Sequence, residues 1–186
     1  MNLALVYDTE TSGIPDWKVP SDSPHQPHIV ELGALVVDLD SYKLVHSASV
    51  IVRPDGWQIG TEVSDIHGIT HEHAMDVGIP EASALAIALD LWRSCNVRIG
   101  FNESFDARIL RIAMKRHRPE MADEFKAGPA ECCMRQAAKV LGGKWPKLAD
   151  AYNALTGRVL EGAHSAFADA MATAELHKAL RGRVPA

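Results

Sequence analysis

Apolar residues come in short bursts near the start of the chain and at helical spacing from about residue 80 onward. Leu3-Ala4-Leu5-Val6 reads as a short buried strand closed by Asp8, Glu10 and Gly13. Residues 28–38 (HIVELGALVVD) predict a second strand, Asp38-Leu39-Asp40-Ser41 a turn, and residues 43–53 an antiparallel partner. The first 53 residues thus read as a three-stranded meander, interrupted by a loop over 14–27 that is rich in Pro, Ser and Asp and contains Trp17. A second loop covers 54–60, and short helical signals follow over 62–75 with Thr70 as an N-cap. Pro80 opens a helix running to about Trp92. Residues 97–101 are a short buried strand, 103–117 a helix ended by Pro119, and 129–133 a last short strand. Helices over 134–141 and 146–155 follow, and Ser165 caps a final helix to about Leu180. The pattern predicts one mixed α/β domain over 1–186, with helices packed on a central sheet.

Composition changes little in that picture. The apolar fraction of 47% and charged fraction of 23% are ordinary for a globular chain of 186 residues. No apolar run reaches membrane-spanning length and no signal-peptide order opens the chain, so a cytoplasmic protein with no membrane partner is expected. Cys95, Cys132 and Cys133 lack zinc-type spacing and read as reduced thiols. His67, His71 and His73 invite a zinc reading that their spacing does not favour. The net charge of −5 does not suggest electrostatic nucleic-acid binding. Acids gathered around metals would inflate that count, so a phosphodiester substrate stays open.

The candidate chemistry lies in carboxylates at unusual places. Asp8 and Glu10 project from one face of a strand, where two acids repel unless a hard divalent cation such as Mg²⁺ or Mn²⁺ lies between them. A pair of exposed acids at a turn is the plain alternative. Asp106 shares a helical stripe with Leu110, Ala113 and His117, and Asp169 shares one with Thr173, Leu176 and Leu180. Each puts an acid on the apolar side of a helix, where an unpaired carboxylate costs several kcal/mol. His164, on the loop before the last helix, is either a cap or surface residue or a group facing what Asp169 faces. Arg108, Arg111, Lys115 and Arg118 form the opposite stripe of the 103–117 helix, a solvated face or a phosphate track. Four carboxylates and an imidazole together suit two divalent ions and a proton acceptor acting in phosphoryl displacement.

On these residues the chain resembles the DEDDh, or DnaQ-like, 3′–5′ exonucleases. Asp8-Thr9-Glu10-Thr11-Ser12-Gly13 resembles the first family motif, Asn102-Glu103-Ser104-Phe105-Asp106 with Leu110 the second, and His164-Ser165-Ala166-Phe167-Ala168-Asp169 the third. Looser likenesses are Ile29-Val30-Glu31-Leu32-Gly33-Ala34 and Ile66-His67-Gly68-Ile69-Thr70. The resemblance implies a ribonuclease H-like fold with a mixed five-stranded sheet flanked by helices. It implies that Asp8, Glu10 and Asp169 hold one metal, that Asp8 also touches a second, and that Asp106 contributes through water. His164 would be the general base, and Thr9, Thr11, Ser12, Asn102, Phe105 and His164 would receive the 3′-terminal nucleotide.

The implied activity is hydrolysis from the 3′ end, releasing nucleoside 5′-monophosphates. The substrate would be single-stranded or 3′-terminal nucleic acid, with DNA favoured over RNA ends or short oligoribonucleotides. A polymerase proofreading subunit is an alternative, and a non-catalytic nucleic-acid-binding module the remotest one. The sequence leaves a homodimer or a polymerase partner open, although the chain ends at Ala186 without the tail that attaches some family members to a polymerase.

Overall fold

In the computed structural model, which describes residues 1–183, five strands form one mixed sheet. β1 (Leu3–Thr11), β2 (Ile29–Asp38) and β3 (Lys43–Ile51) are the antiparallel meander expected from the sequence. β4 (Val97–Gly100) pairs in parallel with β1, and β5 (Ala130–Cys132) in parallel with β4, giving the order β3-β2-β1-β4-β5. The helices are α1 (Thr61–His67), α2 (His71–Val77), α3 (Glu81–Arg93), α4 (Glu103–His117), α5 (Ala122–Ala127), α6 (Cys133–Leu141), α7 (Leu148–Thr156) and α8 (Ala166–Leu180). Thr70 caps α2 as expected, its hydroxyl accepting from the His73 N–H at 3.1 Å. Among the described residues no helix is long and apolar enough to cross a membrane. The chain end at Ala186 lies outside the described residues.

Strand alternation sorts the core into two layers. Leu5 and Tyr7 of β1 with Leu32 and Ala34 of β2 face α3, α4 and α5, where Leu85, Leu110 and Phe125 complete the packing. Ala4 and Val6 with Leu35 and Val37 face the other way, onto α6, α7 and α8 through Ala137, Tyr152 and Leu176. Both sheet faces are therefore covered, which is why β2 is buried almost throughout. β3 and β5 are the edge strands, and Leu44 and Val45 stand exposed on β3.

One position fixes how closely α8 can approach. A Cβ built on Gly33 would meet the backbone of Ala166 at 2.3 Å and of Phe167 at 2.4 Å. Only a glycine lets the N-terminus of α8 lie flat on β2 there. Gly33→Ala is expected to destabilise the protein by roughly 3 kcal/mol, lowering the melting temperature by about 6–12 °C in thermal unfolding. A melting temperature within a degree of wild type would show that α8 is free to shift.

In the basic stripe of α4, Arg108 turns to the 14–27 loop, as does Arg116 beside the stripe, while Lys115 meets Asp123 at 3.9 Å and Arg118 stands exposed. Arg108 donates to the Val19 carbonyl at 2.5 Å and the Asp16 carbonyl at 3.3 Å, while Arg116 reaches the carbonyls of Gln26 and, at 2.9 Å, Pro27. The 14–27 loop has no ladder to satisfy its backbone, so these guanidinium donors take that role. Buried Gln26 closes the loop from inside, accepting from the Asp16 N–H and donating to the carbonyls of Asp16 and Pro20. Behind it, buried Glu81 gathers His28 at 3.2 Å, His117 at 2.9 Å, Arg116 at 3.4 Å and the Ile29 N–H at 3.1 Å. Burial would raise its carboxyl, but the His28 and His117 hydrogen bonds and the His28 and Arg116 charges hold it down at about 2.

Candidate active site

The same alternation that builds the core aims the acids. Asp8 and Glu10 continue the Ala4–Val6 face of β1, and their cross-strand partners Gly33 and Glu31 lie on the matching face of β2. Above them comes the start of α8. The result is a patch where ligand atoms of Glu10, His164 and Asp169 all lie within 4.8 Å of one another. His164 adopts a left-handed φ of 68°, uncommon for a non-glycine residue, and its N–H donates to Asp169 Oδ2 at 3.4 Å. That local strain turns the loop so that imidazole and carboxylate face the same space.

Asp106 arrives from the opposite layer. It stands buried in the first turn of α4, where Oδ1 accepts from the Thr9 N–H at 3.0 Å and the Thr9 hydroxyl at 2.8 Å. Thr9 points to that layer because it alternates with Asp8 and Glu10. Buried Arg98 anchors the same turn, donating to Glu103 at 2.6 Å and to the carbonyls of Phe125 and Gly128, while the Tyr7 hydroxyl donates to Glu103 at 3.2 Å.

Crowding shapes the electrostatics. Burial, then the charges of Asp106, Asp169, Glu10 and Glu31, pushes the Asp8 carboxyl well above the usual range. Burial, then Asp169, Glu31 and Asp106, raises Glu10 to about 8. Asp106 is raised to about 7 by burial, held back by its hydrogen bonds to Thr9. Burial also raises Asp169, against the pull of His164. Four acids that resist ionisation side by side are what a multivalent cation relieves.

The residues fit a divalent cation by two observations. Asp169 Oδ1 is buried without a hydrogen-bond partner, a costly state for a carboxylate oxygen unless something else ligates it. The donor set is carboxylate oxygens with one imidazole, which suits Mg²⁺ or Mn²⁺ and also accepts Zn²⁺. The structure brings together Glu10, Asp169 and His164 directly. Asp8 lies within their field, and Asp106 sits behind Thr9.

The residues expected to receive the nucleotide are held by contacts within the chain. Both Thr9 donors serve Asp106, the Thr11 hydroxyl donates to the Gly13 carbonyl at 2.7 Å, and the Ser12 hydroxyl accepts from the His28 N–H at 2.9 Å. Thr9 is thus a positioning residue for Asp106. Asn102 accepts from the Ser104 hydroxyl at 3.1 Å, and Phe105 is half-buried against the core. Ser165 sits at the N-cap of α8 without a side-chain capping bond. Glu31 fills that role, accepting from the Ala166 N–H at 2.9 Å and from the hydroxyls of Ser165 and Ser49 at 3.4 Å. Glu31, part only of a loose family likeness in the sequence, had been given no role. Its signal was a lone acid inside an otherwise apolar strand.

No curated protein sequence matches the chain. Escherichia coli exonuclease I bound to a dT13 oligonucleotide superposes with a TM-score of 0.77 at 20% identity, over 98% of this chain and 42% of that one. The zinc-bound complex of E. coli exonuclease I with single-stranded DNA gives 0.78 at 21% identity, over 98% and 41%. Apo exonuclease I gives 0.72 at 21%, over 98% and 42%. The chain spans about two fifths of those structures, and at such identity they establish the shared ribonuclease H-like fold. The RNase T family model, described as an exonuclease, matches residues 5–177, and the chain therefore belongs to this DnaQ-like family of phosphodiester hydrolases.

Proposed function

We propose that the protein is a divalent-cation-dependent exonuclease that works from the 3′ end of single-stranded DNA and releases nucleoside 5′-monophosphates. The observation that carries this reading is the convergence of Glu10, Asp169 and His164 within 4.8 Å, beside Asp8. When bound, two ions, Mg²⁺ or Mn²⁺, supply Lewis-acid stabilisation to the attacking and leaving oxygens. Asp8, Glu10 and Asp169 would hold them, and Asp106, fixed by Thr9, would contribute through water. The exposed His164 imidazole faces the Glu10–Asp169 pair and takes the proton of the attacking water, a role worth roughly 10²–10⁴-fold. Its position at the rim lets that proton leave to solvent. DNA is favoured because exonuclease I, which shares the fold, holds DNA oligonucleotides.

The test is degradation of matched 5′-labelled DNA and RNA single strands with Mg²⁺. The expected result is a ladder shortening one nucleotide at a time from the 3′ end, faster on DNA. Faster loss on RNA would replace the substrate, and no shortening of either would sink the reading.

A further inference from the structure

Away from the carboxylates, residues 132–147 carry Arg135, Lys139, Lys144 and Lys147 and no acid, in a chain whose net charge is −5. Arg135 and Lys139 stand four apart on α6, so they share one exposed face. Gly142 and Gly143, with φ of 104° and 90°, swing the chain out of the helix. The turn that follows displays Trp145, 69% exposed, between exposed Lys144 and Lys147. Among the described residues none of these four cations forms an ion pair, and nothing covers the indole.

The strip starts at the active-site end of the sheet. The Met134 N–H donates to the Phe101 carbonyl at 2.9 Å, which places the start of α6 beside Asn102 and the first turn of α4. Between them lies a cavity of about 450 Å³ lined by Glu103, Ser104, Glu131, Arg135, Gln136 and Lys139. Its two acids are already engaged: Glu103 by Arg98 at 2.6 Å, and Glu131 by His177 at 3.1 Å and Gln136 at 2.8 Å. The uncommitted charge in the cavity is positive. From there α6 runs roughly 14 Å to the Trp145 turn, about four steps of a stacked strand.

We infer that this strip carries the single strand on the 5′ side of the nucleotide being removed, with phosphates at Arg135 and Lys139 and a base stacked on Trp145. The inference rests on the exonuclease reading above. A strand held this way is gripped without base readout, so the strip sets a preference for long substrates rather than for sequence.

Two variants test it, Arg135→Glu/Lys139→Glu and Trp145→Ala, each checked for an unchanged melting temperature. Binding of a labelled DNA single strand of about twenty nucleotides is read by anisotropy in EDTA, with no turnover. Both variants are expected to bind about tenfold more weakly, and the charge variant to lower the salt slope by about 1.4 for two lost phosphate contacts. With Mg²⁺, the ratio of kcat/KM on the long strand to that on a dinucleotide should fall about tenfold in each. Affinity and ratio within twofold of wild type in both variants would overturn the strip while leaving the exonuclease reading intact. A wild-type protein that neither binds nor shortens either substrate would overturn both.

Discussion

Asp8→Asn is expected to reduce turnover by roughly a thousandfold and to raise the melting temperature of the metal-free protein at pH 8 by about 3–6 °C. The two effects have one cause. Burial penalises the charge of Asp8 most, and the field of Asp106, Asp169, Glu10 and Glu31 adds to that penalty. Ionising it without a cation costs stability, so a neutral side chain of the same shape relieves the fold. On the proposed function the same charge would hold a divalent ion against the reacting phosphate, and its loss would remove several kcal/mol of transition-state stabilisation. Activity is read on a labelled DNA strand with saturating Mg²⁺, stability by thermal unfolding in EDTA. A variant that lost activity and also melted lower would mean that Asp8 has a structural role, and a variant that kept activity would remove it from the site.

The meander, the helices on the sheet and the positions of Asp8, Glu10, Asp106 and Asp169 were legible because each follows from a local period, whereas His164, on a loop, was singled out by the family resemblance. Asp8 and Glu10 share a face at a spacing of two, and Asp106 and Asp169 fall on the apolar stripes of α4 and α8. Three features were not legible. α5 is six residues long and is held by Phe125 entering the core, a tertiary contact that no short window encodes. Arg108 read as part of a solvated face or a phosphate track, because the carbonyls it satisfies lie about ninety residues away in the 14–27 loop. The capping of α8 passed from Ser165 to Glu31 for the same reason. A strand residue supplies the carboxylate, and only the close approach at Gly33 brings it there.

Glu31 adds its charge to the crowding of Asp8, Glu10 and Asp169, and that crowding leads to a measurable pH dependence. In EDTA the protein is expected to lose stability as pH rises from about 5 to about 8. Carboxyls in an unfolded chain titrate near 4, whereas Glu10 is raised to about 8 and Asp106 to about 7 in the fold. Between those limits the native state binds more protons than the unfolded state, so unfolding becomes easier with each step upward in pH. Divalent cation should reverse this, because it binds the deprotonated acids of the native state alone. At about one hundred times its dissociation constant it contributes about 2.7 kcal/mol, or roughly 5–11 °C in melting temperature, with the larger gain at pH 8. Glu10→Gln should flatten the EDTA profile and shrink the gain at pH 8. A wild-type melting temperature that stays level or climbs from pH 5 to 8 in EDTA would mean that the acids are not crowded as the geometry requires. An equal gain from Mg²⁺ at both pH values would place the ion somewhere other than between these carboxylates.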